Sequence, residues 1–423
     1  MKALKIISTF CLMAFFIIDL FLDEYFLEHS SNISAWLQQN GSSPLKAAGI
    51  IFSYIFAFIQ IPVAYFYFAF SRNQLKALYY FTLYTLPIVI GVWLKVLYYK
   101  GRPWVVNADV SGEACDPGMP SGHSIMATSG YYVLYLILTE DLYPKKKGMH
   151  VFFAILCGLI AVCIMLSRIS LGDHSYNQVL MGLLVGWNTI MYYDYRVFII
   201  ILHKFRHMVL PVTMLLNIFN IVMLMVMNSV NHIHRENYGL WKYFSKNPSC
   251  NNTFILGSAL TVPLNSWVLC SWGFFPFKET KRQDKRPARY GLSGTNLRLL
   301  LHFLTVLPSA FLAPLAAVIQ DGYSSPDSIV LMSNLLSLWL TFVFMVLGWG
   351  MVRLSKVLFE WANIAGREDY IFIEDINEQY RLLRRADDET KDELRDQMIG
   401  GPELTGEHPN SSDKTPRIPI SDA

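Results

Sequence analysis

Lys95 and Arg102 stand seven residues apart, about two turns along one face of a helix that Gly101 and Pro103 bring to an end. Charge at the end of an apolar run is costly, so the pair needs either a snorkelling path to water or an anion to hold. The next loop closes on Cys115-Asp116-Pro117-Gly118-Met119-Pro120-Ser121-Gly122-His123, directly ahead of another apolar run. Ser121 is a natural helix N-cap, and the first N–H groups of the helix it opens, around Gly122, form an anion site with a favourable dipole. A histidine placed there, His123, meets a bound phosphate. Two crossings later comes Ser167-Arg168-Ile169-Ser170-Leu171-Gly172-Asp173-His174, again at a helix boundary. Either histidine alone reads best as structural. Together with three cations, and with no metal-ligand cluster beside them, they suit a phosphate rather than a metal, and no cofactor is called for.

The elements that must position these residues are membrane helices. The chain has 423 residues, of which 53% are hydrophobic and 16% charged, against the quarter expected of a soluble protein. This excludes a compact soluble enzyme and a nucleic-acid module. Apolar runs of bilayer length fall near 3–22, 46–70, 77–98, 121–139, 150–167, 175–194, 207–227, 254–276, 296–319 and 328–352. The expected fold is all-α, a polytopic membrane protein with about ten transmembrane helices. Its regions are an N-terminal anchor helix and lumenal loop (1–45), a core that holds the three clusters (46–200), additional transmembrane helices (201–352) and an acidic tail (353–423). That tail carries 16 acidic and 10 basic residues. Ile371, Ile373, Ile376, Tyr380, Leu383, Leu394 and Met398 form an intermittent apolar stripe there, which predicts a surface helix, open to a cytosolic partner, that stops at Gly400-Gly401-Pro402.

Ten spans sort the loops onto two faces, and their parity puts Lys95, Arg102, Ser121, Gly122, His123, Arg168 and His174 on one of them. Lys2, Lys5, Arg72, Lys76, Lys145 to Lys147, Arg196, Lys204, Arg206 and the run from Lys278 to Arg289 lie on the other, which the positive-inside rule makes cytosolic. The Asn-x-Ser/Thr acceptors at Asn32, Asn40 and Asn251 fall on the opposite, lumenal face with the clusters, while Asn410 falls in the tail. Cys115 and Cys250 are the two loop cysteines, both on that oxidising face. A disulfide between them and two free thiols stand at even odds. Asp109, Glu113, Asp116 and Asp173 share the face and can meet sugar hydroxyls, although solvated loop acids are the plainer reading. His232 and His234, two residues apart, make a poor metal site. A transporter, or a phosphatase relative that binds without turnover, also has many spans and a polar cluster, but transporter helices tend to be broken or charged near the midplane, and the spans here have few such features.

The three clusters, in order and correctly spaced, resemble the motifs of the type 2 phosphatidic acid phosphatase superfamily: Lys-x6-Arg-Pro, Pro-Ser-Gly-His and Ser-Arg-x5-His-x3-Asp. They stand here as Lys95 to Arg102-Pro103, Pro120 to His123, and Ser167-Arg168 to His174, with Gln178 where most of the superfamily has Asp. The resemblance covers 95–178 and implies a core of about six helices. It implies hydrolysis through a phosphohistidine, with His174 as nucleophile, His123 as general acid and base, and Lys95, Arg102, Arg168 and the N–H groups around Ser121 and Gly122 holding the phosphate. Glutamine at 178 is similar to the glucose-6-phosphatase family and to dolichyl-diphosphatases. Gln178 can orient an imidazole by a hydrogen bond but supplies no charge. Cys115-x-x-Gly118 before Pro-Ser-Gly-His, Tyr131-Tyr132, Leu166 to Ile169 and the length of the chain favour the former. The resemblance thus implies glucose 6-phosphate as substrate and the endoplasmic reticulum as location. The alternative is a lipid phosphate such as a sphingoid-base, phosphatidate or polyprenyl phosphate.

Overall fold

The computed structural model describes residues 2–57, 59–60, 63, 67, 71, 73–98, 100–111 and 117–233, and then 268–269, 272, 277–278, 296–297, 300–301, 338–339, 353–363, 365 and 370–399. The helices it describes are α1 (Lys2–Asn40), α2 (Ser43–Ile50), α3 (Gln74–Tyr98), α4 (Pro103–Val106), α5 (Gly122–Leu136), α6 (Lys147–Ser170), α7 (Tyr176–Tyr192), α8 (Tyr195–Phe205), α9 (Val209–Ile233), α10 (Ser355–Trp361) and α11 (Ile373–Ile399). Among the described residues, four stretches are long and apolar enough to cross a membrane: Ala3–Asn40, Gln74–Tyr98, Lys147–Ser170 and Tyr195–Met223. The runs expected near 254–276, 296–319 and 328–352 lie almost wholly outside the described residues, as do Cys115, Glu113, Asp116, Cys250, Asn251, His234 and Asn410.

α1 is the clearest departure from the expected boundaries. At about 1.5 Å per residue its 39 residues extend about 58 Å, nearly twice the hydrocarbon thickness. The span expected to end at residue 22 therefore continues as helix through Asn32 to Asn40, and both acceptor asparagines are exposed on it. The all-α expectation meets one small exception. Phe277–Lys278 pairs in parallel with Ile371–Phe372, so Ile371 belongs to a strand and the stripe's helix begins at Ile373. The chain divides into two compact units, 1–377 and 378–423, and the second is helical as far as residue 399.

Within the first unit, α5 packs against α3, α6 and α7, and α1 lies along α7. Met119, Ile125, Met181 and Val185 form one buried cluster between α3, α5 and α7, and Tyr131, Cys157, Ala161 and Ile164 another between α5 and α6. In lipid, helices gain little from burying apolar surface, so close approach at small residues and hydrogen bonds hold them together. Gly182 shows this: a Cβ there would lie 2.6 Å from Ser121 O and 2.8 Å from Ser124 Cβ, and one turn on a Cβ at Gly186 would lie 2.9 Å from Thr128 Cβ. These two glycines let the first turn of α5 rest directly on α7. α1 is held by small polar groups instead, since Ser30 Oγ accepts from Tyr176 N–H at 3.1 Å and Ser34 Oγ donates to Ile169 O at 2.8 Å.

Candidate active site

Each cation arrives from a helix end. Lys95, in the last turn of α3, is buried, and its Nζ donates to Pro117 O at 2.8 Å. A Cβ on Gly122 would lie 3.8 Å from Lys95 Cε, which puts the ammonium stem over the start of α5. Ser121 caps that helix, and its Oγ accepts from Ser124 N–H at 3.4 Å. Arg102 is the extended residue before α4; its Nη1 donates to Asp173 O at 2.5 Å and lies 3.2 Å from His174 Nε2. Arg168, in the last turn of α6, donates through Nη1 to Ser53 Oγ and pairs through Nη2 with Asp173 Oδ2 at 2.6 Å. Both members of that pair are almost fully buried. Removing one partner of such a pair typically costs about 3–5 kcal/mol.

His174 is held from both sides. Its Nδ1 lies 3.2 Å from Gln178 Oε1, and two further contacts fix which way that amide faces. Gln178 Nε2 donates to Gly101 O at 2.6 Å, and Gln178 Oε1 accepts from Ser175 N–H at 3.3 Å, so oxygen faces the imidazole. Nδ1 therefore carries the proton. Nε2 is left with its lone pair, directed at the Arg102 guanidinium and available to an electrophile. Burial, then Arg102, Arg168, Lys95 and His123 in that order, hold His174 well below its ordinary value of 6.5, so the unprotonated imidazole is the resting form. His123 is half-buried in the first turn of α5 and close enough to act electrostatically on His174.

Gly118 makes room for this arrangement. A Cβ there would sit 2.6 Å from both Gln178 Oε1 and Gly101 O, so a side chain at 118 would push apart the bond that orients Gln178.

The structure thus brings Lys95, Arg102, Ser121, Gly122, His123, Arg168, His174 and Gln178 to one place. Among the described residues, no group of three or more His, Cys, Asp or Glu side chains is arranged to hold a metal ion. The acids part company: Asp109 is exposed, whereas Asp173 is 3% exposed and ion-paired. The reading of Asp173 as a solvated loop acid is therefore corrected, because the turn after α6 folds it back under Arg168. His232 lies near the end of α9.

Two contributors escaped the sequence reading. Ser53 carries no local signal at all. Asp19 does, as an acid inside the first apolar run, and it is fully buried with Oδ1 accepting from Asn177 Nδ2 at 2.7 Å, one residue before Gln178. The acceptors Asn32 and Asn40 sit at the same end of the molecule as the site: Asn107 Nδ2 donates to Asn32 Oδ1 at 3.5 Å, and Gln38 takes both N–H and hydroxyl of Ser111.

Residues 76–201 match the family model of the PAP2 superfamily. The matched segment holds all three motifs and leaves α1 and α2 outside it. Members of that superfamily are phosphatases of phosphate esters, which supports a phosphoric monoester hydrolase. No curated protein and no solved structure matches the chain.

Proposed function

We propose that this chain is a membrane phosphatase that hydrolyses a phosphate monoester through a phosphohistidine, with glucose 6-phosphate as its foremost candidate substrate. The observation that carries the reading is the fixed tautomer of His174, whose unprotonated Nε2 faces the arginine that would hold the phosphate. Nε2 attacks phosphorus, the P–O bond to the alcohol breaks, and His123 gives the departing oxygen its proton. Lys95, Arg102, Arg168 and the N–H groups at the start of α5 hold the remaining phosphate oxygens and stabilise charge in the transition state. Phosphorylation leaves the imidazole cationic among three cations, and the phosphoryl group's own negative charge offsets that repulsion. His123 then takes a proton from water, the hydroxide attacks phosphorus, the P–N bond breaks and Nε2 recovers its lone pair.

Brief exposure to labelled substrate tests this directly. The wild type should carry an acid-labile, base-stable phosphoryl group that His174→Ala lacks; label retained in full by the variant would remove His174 from the role. The site would face the lumen of the endoplasmic reticulum, in which case Asn32 or Asn40 is glycosylated in a eukaryotic host. Protection of the C-terminal tail from protease in sealed microsomes would reverse that orientation.

A lipid phosphate is the second reading, and one observation favours it. An apolar groove of about 570 Å³ runs between α1, α3 and α7, from Tyr98 near the site to Tyr192.

A further inference from the structure

Asp19 and Asp23 stand four residues apart in α1, on one face of that helix. An acid inside a membrane-length apolar run is costly and calls for a partner. Asp19 is fully buried. Its Oδ1 accepts from Asn177 Nδ2 at 2.7 Å, and its Oδ2 has no hydrogen-bond partner among the described residues, so Asn177 is what it holds. Because Asp19 presents an acceptor, the Asn177 amide turns its NH2 toward it and its oxygen away. That oxygen accepts from Ser175 Oγ, and Ser175 N–H donates at 3.3 Å to Gln178 Oε1, the same oxygen that faces His174 Nδ1. A continuous line of contacts thus runs from α1 to the imidazole.

Asp23 reaches the other end of the same amide. Its Oδ2 pairs with Lys100 Nζ at 2.7 Å, and Lys100 O accepts from Gly118 N–H at 2.8 Å. The next carbonyl, Gly101 O, accepts from Gln178 Nε2 at 2.6 Å. Both ends of the Gln178 amide are therefore braced through α1, a helix outside the residues that match the family model. Gln178 has no charge with which to draw the imidazole into place, so its aim depends on what holds the amide.

We propose that Asp19 and Asp23 are positioning residues for the nucleophile: they fix the start of α7 and residues 100–101, so that the Gln178 oxygen stays on His174 Nδ1 and Nε2 stays aimed at phosphorus. The proposal rests on the phosphatase reading above and deepens it. It makes α1 part of the working site and not only an anchor.

Binding of two ions to the full-length protein in detergent tests it without turnover. Orthovanadate takes the five-coordinate geometry of a phosphoryl group in transfer and needs Nε2 in line, whereas inorganic phosphate needs only the cations. Calorimetric Kd values for both would be compared in the wild type, Asp19→Leu, Asp19→Asn, Gln178→Ala and the double variant Asp19→Leu with Gln178→Ala. Asp19→Leu should cut the preference for vanadate about 10-fold, and Asp19→Asn, which can still accept from Asn177, should keep most of it. The double variant should lose no more than Gln178→Ala alone, because Asp19 acts through Gln178. Asp23→Asn breaks a partly exposed pair and should fold even where Asp19→Leu does not; it should lower the preference about 2–5-fold, and only while Gln178 is present. Additive losses in the double variant, equal weakening of both ions, or no change overturns the proposal. Phosphate release by the wild type reports separately on the phosphatase reading. Neither release nor vanadate preference would sink that reading, whereas release with a preference indifferent to Asp19 and Asp23 sinks only the positioning role.

Discussion

The two hollows beside the helices of the candidate site differ in what their walls can recognise. The cavity next to Asp173 is walled partly by residues from helix ends and the segments that join them, such as Trp104, Ser111 and Ser170, where polar side chains reach one another and water. The groove is walled by Leu12, Phe16, Leu94, Met181, Val185 and their neighbours, almost all from within helices. The cavity wall carries charged and amide side chains, Asp173, Lys46 and Gln38; the groove wall is mostly apolar, with Asn188, Thr189 and tyrosines as its polar residues. An apolar groove between helices accepts any lipid tail and selects none, whereas polar side chains in a wall penalise an occupant that fails to pair with them. The comparison therefore teaches that the cavity, not the groove, is where this protein would discriminate between phosphate esters.

The largest expected effect lies at the proposed nucleophile. His174→Ala should bring phosphate release to background for sugar and lipid phosphates alike, whichever way the substrate enters; residual turnover of one class alone would mean that the two hollows serve different nucleophiles.

Next comes the support behind that imidazole. Gly118→Val should cost at least as much as Gln178→Ala, because its side chain would displace Gln178 and press on the Gly101 carbonyl. Gln178→Ala should lower kcat by about 10–100-fold, as loss of a residue that orients a reacting group commonly does, and Gln178→Asp should keep measurable activity. Phosphate release under saturating substrate measures all three, and an indifferent Gln178→Ala would make the residue a bystander.

A pH profile sharpens the electrostatic side. Since His174 is held below 6.5, its attacking form persists as pH falls through that value, and the acid limb of kcat/KM should lie below it. Arg102→Gln takes away the largest of the charges that disfavour protonation. The imidazole then binds its proton more readily and the limb moves up toward 6.5. A limb that stays in place in the variant would assign it to another group.

The smallest effect is expected from filling the groove. Met13 lines it and is more than half exposed, so Met13→Trp should fold and should leave glucose 6-phosphate turnover within about twofold, the usual range for surface changes. A marked loss of sugar phosphate turnover would make the groove part of the substrate's path and break the comparison.

The sequence by itself determined the bounds of several apolar helices and which residues meet at the candidate site. Apolar length is a property of contiguous residues, so α3, α6 and α7 fall within a few residues of the expected spans, and the motif residues lie at helix ends that Ser121, Gly101 and Pro103 already mark. The surroundings of those residues were decided only by tertiary structure. Arg168 meets Ser53 across 115 positions of chain, Asn177 meets Asp19 across 158, and no local pattern encodes either contact. The same holds for Asp173, a loop acid by its neighbours and a buried ion-pair partner by its fold. Spacing along a chain specifies which side chains share a helix face; burial and pairing depend on which other helices close over that face, and that is settled only when α1, α3, α5, α6 and α7 pack together.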